Sequence, residues 1–144
     1  MSVKETERLL RDCSTGLKMG ISAIDETIPS VKSGNLKDVL KESKNDHIKL
    51  SDTADDLLSG ITAQPAEPGA VAKGMSWFKT NLMLTMSPED STVAELITDG
   101  CNMGVKSINK ALNENKSADA SAKDIAKKLI ELDKKLALDV SAYL

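Results

Sequence analysis

The chain has 144 residues and a formal net charge of -3 at pH 7, with 40% hydrophobic, 28% charged and only 2% aromatic residues. This length suits one domain with a sizeable core, and a core almost free of aromatic side chains favours helices over a β-sandwich. The acidic balance, without any cluster of lysines and arginines, argues against a nucleic-acid partner.

The N-terminus and the cysteines indicate a compartment. MSVKETERLL is charged from its start and lacks the apolar run of a signal peptide, and no stretch is apolar enough to span a membrane. Cys13 and Cys101 lie far apart and form no CxxC pair, so we expect reduced, buried thiols. A cytoplasmic protein without a membrane partner is the resulting prediction.

A first pair of helices is predicted over residues 3–59. Ser2 and Glu5 form an S-x-x-E capping box at its start, and Pro29 should weaken the last turn of the first helix. Asn35 is the candidate cap of the second helix, which should end near residues 59–60. Because the connection between them is short, the two helices should be antiparallel neighbours.

Residues 60–87 are predicted to cross over to a second pair. The prolines and glycines of GITAQPAEPGA indicate an extended loop, and VAKGMSWFKTNLMLTM indicates a helix. One face of that helix carries Val71, Met75, Phe78 and Leu82. Trp77 and Leu84 fall on another face, so they either pack within the chain or form an interface with a second copy in a homodimer.

The second pair of helices is predicted over residues 88–144. SPED at 87–90 begins the third helix with Pro88 in its first turn, and Ser121 begins the fourth after the polar loop NENKSADAS. Apolar residues recur every three or four positions in each helix. In the fourth helix they place Leu129 and Leu132 on the inward stripe. The whole chain therefore reads as one domain made of two helical hairpins.

The two hairpins share a short internal repeat. GLKMGISAI at 16–24 aligns with GCNMGVKSI at 100–108, so that Gly16 corresponds to Gly100 and Gly20 to Gly104. The match lies at equivalent points of both hairpins, which favours duplication. Two hairpins joined by a long crossover are also the layout of ferritin-like bundles.

The segments AELITDGCNMGVKSINKAL and GMSWFKTNLML resemble counterparts in uncharacterised bacterial ferritin-like families. The resemblance covers most of the chain and implies an all-α, antiparallel four-helix bundle of ferritin-like topology, with no particular activity. Ferritin-like di-metal sites use one carboxylate from each of two helices and Glu-x-x-His from each of the others. Iron or manganese would be the corresponding cofactor.

His47 is the only histidine, and its surroundings do not match that motif. Lys44 stands three residues before it, where the motif needs a glutamate. Glu42 stands five residues before it, which turns the two side chains about 140° apart. If a metal binds, His47 with Glu42 or Asp46 is the candidate set. Otherwise His47 should be a core residue hydrogen-bonded to Ser43, Ser51 or a backbone carbonyl.

Carboxylates are also missing from the predicted inward stripes of the other helices. The remaining candidates should be solvated at stripe margins or on outer faces: Asp25, Glu26, Glu95, Asp99, Glu131 and Asp133. We therefore expect that the metal ligands are lost and that no cofactor is bound.

Four glycines within helices need an explanation, because each costs about 1 kcal/mol relative to alanine. The favoured hypothesis is helix packing, with Gly16 and Gly20 facing Gly100 and Gly104 so that two backbones approach closely. The alternative is a cavity for a small apolar ligand, lined by these glycines together with Ser43, Cys101 and Met103.

The sequence thus predicts a non-catalytic, degenerate ferritin-like bundle that serves as a structural or protein-interaction module. One alternative is a metal-binding protein or oxidase with an atypical site around His47. Another is a carrier of a small apolar ligand in the bundle interior. No residue is assigned a catalytic role.

Overall fold

A computed structural model describes residues 2–64, 78–82 and 89–144. Throughout these ranges the regular structure is helical, and no strand occurs in them. Four long helices account for most of the described chain: α1 (Val3–Thr27), α2 (Gly34–Ser59), α3 (Asp90–Glu114) and α4 (Ala120–Val140). The all-α class agrees with the prediction.

The ends of α1 and α2 follow local sequence signals, with one correction. The Ser2 side chain accepts the backbone N–H of Glu5 at 3.2 Å, and α1 ends just before a 3-10 turn that contains Pro29. The cap of α2 is Ser33 and not Asn35, because Ser33 has extended backbone and its Oγ accepts the N–H of Leu36 at 3.2 Å. Asn35 already lies inside the helix.

The second hairpin shows a similar shift at its turn. Asp119 caps α4 by accepting the N–H of Ala122 at 2.8 Å. Ser121, the predicted start, is an exposed residue of the first helical turn. Pro88 lies outside the described residues. Such shifts of one or two positions are usual at helix ends, where several short polar side chains compete for the same role.

The helices pack as two hairpins. α1 packs along α2 and α3 along α4, while α2–α4 and α1–α3 contacts join the hairpins. Phe78 and Leu82 of the crossover are helical and buried. The predicted interface residues Trp77 and Leu84, like Val71 and Met75, lie outside the described residues.

Hydrogen bonds join the two hairpins at both ends of the bundle. At one end, Ser2 N–H donates to the Ser117 carbonyl at 2.6 Å and Asp119 N–H donates to Thr6 Oγ1 at 2.8 Å. At the other end, the Asp90 carboxylate accepts the backbone N–H groups of Lys32 and Ser33 at 2.8 and 2.9 Å. Asp90 therefore ties the α1–α2 turn to the first turn of α3.

The buried apolar residues form two clusters along the bundle axis. One includes Leu9, Leu17, Leu58 and Leu129, and the other includes Ile24, Leu36, Leu40 and Leu136. The α2 and α4 segments between them carry buried polar residues: Ser43, His47, Ser51 and Asp133. The core is thus divided by a polar layer.

No helix in the described part of the chain has the length and apolar character needed to cross a membrane.

Replacing Asp90 by alanine should destabilise the bundle. Two backbone N–H groups lose a charged acceptor, and hydrogen bonds to charged groups contribute about 1.5–3 kcal/mol each when buried. Because the Lys32 bond is exposed, we expect a total loss of about 1–3 kcal/mol in the free energy of unfolding, measured by urea denaturation. Asp99→Ala, at an exposed position of the same helix, is the matched control and should change little. Equal stabilities of the two variants would contradict the assigned role of Asp90.

Candidate functional site

His47 lies at the centre of the bundle with its ring orientation fixed by its own helix. The side chain is 1% exposed, and Nδ1 is 2.7 Å from the carbonyl oxygen of Ser43. A carbonyl can only accept, so Nδ1 carries the proton and donates. This is one of the hydrogen bonds predicted for a core histidine. It leaves Nε2 to face the interior.

The partner of Nε2 is Asp133, which lies on α4. Asp133 Oδ1 is 3.5 Å from Nε2, and Asp133 as a whole is only 8% exposed. We call these two residues the central pair. Burial raises the pKa of Asp133, while hydrogen bonding and charge interaction with His47 oppose that rise. A single proton between Nε2 and the carboxyl can satisfy both groups.

Asp133 is buried, whereas the sequence predicted a solvated position for it at the margin of the helical stripe. The inward stripe of α4 passes through Leu129, Asp133 and Leu136, whereas Leu132 is half-buried. The prediction was wrong because it assigned the inward position to the apolar Leu132 and not to the neighbouring, charged Asp133. Burial of an aspartate becomes affordable only with a partner, and that partner comes from another helix.

Two of the four helical glycines make room for the central pair. A Cβ added at Gly20 would lie 3.0 and 3.1 Å from Cδ2 and Nε2 of His47. A Cβ added at Gly104 would overlap the carboxylate of Asp133. Each glycine therefore accommodates a polar side chain from the second helix of its own hairpin.

This arrangement differs from the favoured hypothesis of close contact between glycines. The space above Gly20 and Gly104 is occupied by side chains of α2 and α4, and not by the backbone of the opposite helix. A Cβ at Gly16 would contact Leu129 and Ile108 at 3.6 and 3.9 Å, and one at Gly100 would meet nothing within 4 Å. The aligned positions of Gly20 and Gly104 were the signal that could have identified Asp133 as the counterpart of His47.

A cleft of about 410 Å³ lies between α1 and α3, and we call it the α1–α3 cleft. The four glycines line it, His47, Asp133 and Cys101 reach it from within, and Met103 borders it with half of its surface exposed. Ser43 was also predicted to line a cavity here, but it is not among the lining residues. The opening follows from the glycines, which present no side chains to fill the space between the two helices.

Both cysteines are free and buried. Burial, followed by the charge of Asp133, raises the pKa of Cys101 to about 12. Burial and the charge of Asp12 raise the pKa of Cys13 to about 12 as well. Since the thiolate is the reactive form, neither thiol is prepared for nucleophilic chemistry near neutral pH.

A second charged region lies along the same cleft. Asp12 of α1 and Glu114 of α3 both line the cleft. Lys110 Nζ is 3.9 Å from Glu114 Oε1 in an exposed ion pair. Partial burial and then the Glu114 carboxylate raise the pKa of Asp12, although Asp12 still reaches solvent. The two carboxylates are therefore close enough to repel each other.

The described residues do not fit a ferritin-type metal site. No group of three or more His, Cys, Asp or Glu side chains in the described ranges is arranged to hold a metal ion, whereas such sites draw ligands from four helices. The metal ligands suggested by the sequence, His47 with Glu42 or Asp46, also point to different places. His47 faces Asp133 inside the bundle, while exposed Glu42 and half-buried Asp46 lie near Lys135.

Two solved structures share this architecture over nearly the whole chain. Dps92 from Deinococcus radiodurans has a TM-score of 0.73 at 15% identity, covering 99% of this chain and 87% of that one. The dodecameric thioferritin from Bacteroides fragilis, a bacterioferritin-related protein, has a TM-score of 0.73 at 12% identity, covering 99% and 86%. No protein-family model and no curated protein matches the sequence. The protein therefore has a ferritin-like four-helix-bundle fold, as the sequence predicts.

Substituting alanine at Gly100 and at Gly104 should show which of the two glycines has a side chain packed against it. Gly100→Ala and Gly104→Ala gain the same helix propensity, about 1 kcal/mol. Only the second forces Asp133 to move, and overpacking of a core costs about 1–3 kcal/mol. We expect Gly100→Ala to be the more stable variant by about that amount in urea denaturation. Equal stabilisation by both would show that Asp133 does not occupy the space above Gly104.

The pH dependence of stability should identify Asp133 as a buried acid. Because its folded-state pKa is raised above 3.8, the folded protein binds this proton more tightly than the unfolded chain, and stability is lost as pH rises through the raised pKa. Asparagine cannot ionise. The free energy of unfolding of Asp133→Asn, relative to wild type, should therefore rise from about pH 4 upward and then level off. Asp99→Asn is the exposed control, and a pH-independent difference for Asp133→Asn would contradict the raised pKa.

Proposed function

We propose that this protein is a non-catalytic ferritin-like bundle that binds a small organic molecule in the α1–α3 cleft. The observation that carries the proposal is a cleft of about 410 Å³ that is lined by a buried histidine–aspartate pair. Small-molecule sites typically have this volume and combine apolar walls with a few convergent polar groups. Of the functions considered from the sequence, the ligand carrier gains the most support.

The chemistry of the lining residues favours binding over catalysis. Cys101 is held as a thiol, and one nitrogen of His47 is committed to the Ser43 carbonyl. The central pair offers two ligands for a metal, which is fewer than a closed tetrahedral site requires. We therefore propose that the protein has no resident metal or cofactor and that its ferritin-like ligand set is degenerate.

Self-association is a further part of the proposal. The thioferritin that shares the fold is dodecameric, and the crossover helix predicted from the sequence carries Trp77 and Leu84 on a second apolar face. A second copy of the chain is the partner that such a face would bury. These features support a bundle that forms a homodimer or a larger assembly, and we propose a cytoplasmic location for it.

Nile red, a neutral apolar dye, provides the test of cleft binding. We expect saturable binding of about one dye per chain, followed by fluorescence and reversed by octanol. Gly100→Leu should weaken it at least about tenfold, or about 1.4 kcal/mol, because a side chain at this position enters open space in the cleft. Asn102→Leu adds the same side chain at an exposed position of the same helix and is the matched control.

The two variants distinguish binding in the cleft from binding to the outer surface. Loss of binding in Gly100→Leu alone supports the cleft as the binding site. An equal effect of both variants would assign the dye to the outer surface, and absence of saturable binding to wild type would overturn the proposal.

A further inference from the structure

One oxygen of the central pair accepts no hydrogen bond from the residues that the structure describes. Asp133 Oδ1 faces His47, while Oδ2 is the atom nearest to the surface of Gly104. Among the described residues, no group donates a hydrogen bond to Oδ2. Asp133 is 8% exposed and lines the α1–α3 cleft. Oδ2 is therefore an acceptor on a mostly buried residue that lines the cleft, where a ligand can supply its donor.

The other charged region of the cleft also has an excess of acceptors. Asp12 and Glu114 approach each other from α1 and α3, and in the described ranges no ion pair involves Asp12. Lys110 is the lining cation near them, and it lies in solvent beside Glu114. The cleft therefore carries carboxyl groups at two places, and at one of them Asp12 and Glu114 outnumber Lys110, so that net negative charge there attracts a cation.

The spacing of these two places indicates the length of the ligand. The helical rise of about 1.5 Å per residue puts Glu114 about 15 Å from Gly104 along α3, and Asp12 about 12 Å from Gly20 along α1. An extended chain covers about 3.6 Å per three bonds, and each charge-assisted hydrogen bond adds about 2.8 Å. A chain of roughly nine bonds between its terminal nitrogens would reach both places.

The wall between the two charged regions has an apolar part, next to the polar side chains of Thr15, Ser107 and Lys110. Gly16, Ile108 and Leu129 line the cleft there, and Leu129 and Ile108 belong to the buried cluster at that end of the bundle. An alkyl chain would lose no hydrogen bonds against this wall. A single metal ion cannot replace such a ligand, because carboxylates more than about 10 Å apart cannot share one ion.

We infer that the α1–α3 cleft binds an elongated aliphatic cation with an ammonium group at each end, a diamine or polyamine. One ammonium donates to Oδ2 of Asp133, and the other lies between Asp12 and Glu114. The alkyl chain packs along Gly16. This inference rests on the proposed binding function and specifies the chemical class of its ligand.

Three probes of equal chain length test this class by calorimetry: octane with an amine at both ends, octylamine with one amine, and octanediol with none. We expect the diamine to bind at least about tenfold more tightly than octylamine, and octylamine more tightly than the diol, since charge-assisted hydrogen bonds are roughly twice as strong as neutral ones. Binding should weaken as salt is added.

Three variants test which protein carboxylates bind the two ammonium groups of the ligand. Asp133→Asn should weaken diamine and octylamine binding about tenfold. The double variant Asp12→Asn with Glu114→Gln should reduce diamine binding to the level of octylamine and leave octylamine unchanged. Asp99→Asn removes the same charge from an exposed position of α3 and should leave every affinity unchanged. Binding of Nile red to each variant verifies that the cleft remains intact.

The results distinguish this inference from the proposed function. Diol binding as tight as diamine binding, or diamine binding unaffected by both sets of variants, would overturn the diammonium ligand while retaining the cleft as an apolar site. Failure of Nile red and of all three probes to bind would overturn both.

Discussion

The contact between His47 and Asp133 determines how the middle of this bundle is built. Neither side chain could be buried alone without a large loss of hydration. Together they divide the core into two apolar clusters. Nδ1 of His47 is bonded to its own helix at Ser43, so the ring meets Asp133 only if α2 and α4 keep one axial register. A polar contact inside a core therefore helps to select one arrangement of the helices.

The same contact accounts for the glycines and for the cleft. Gly20 and Gly104 lie where the ring and the carboxylate need space, and a larger residue at either position would displace one member of the pair. The cost of glycine in a helix is offset by the room that it leaves. With Gly16 and Gly100 added, α1 and α3 present few side chains to each other, and the cleft remains open to the pair.

The shared fold and the different interior are compatible. Dps92 and the thioferritin match this chain at 12–15% identity, a level at which helical period and hairpin order are retained while individual residues are not. The apolar clusters at the two ends of the bundle hold the helices together, so the layer between them can vary. Here that layer contains His47, Asp133, two buried serines and the glycines beside them, where ferritin-type metal sites place ligands from four helices.

The sequence by itself determined the local structure: the helices, the cap at Ser2, the break before Pro29 and the order of the two hairpins. These features depend on residues within a few positions of one another. It also identified His47 as inward-facing and the four glycines as unusual. Only the tertiary structure decided that Asp133 is buried, that Gly20 and Gly104 accommodate side chains of α2 and α4, and that a cleft remains between α1 and α3. The reason is physical: whether a charged residue at the edge of a helical stripe faces solvent or the core depends on the partner that another helix brings to it.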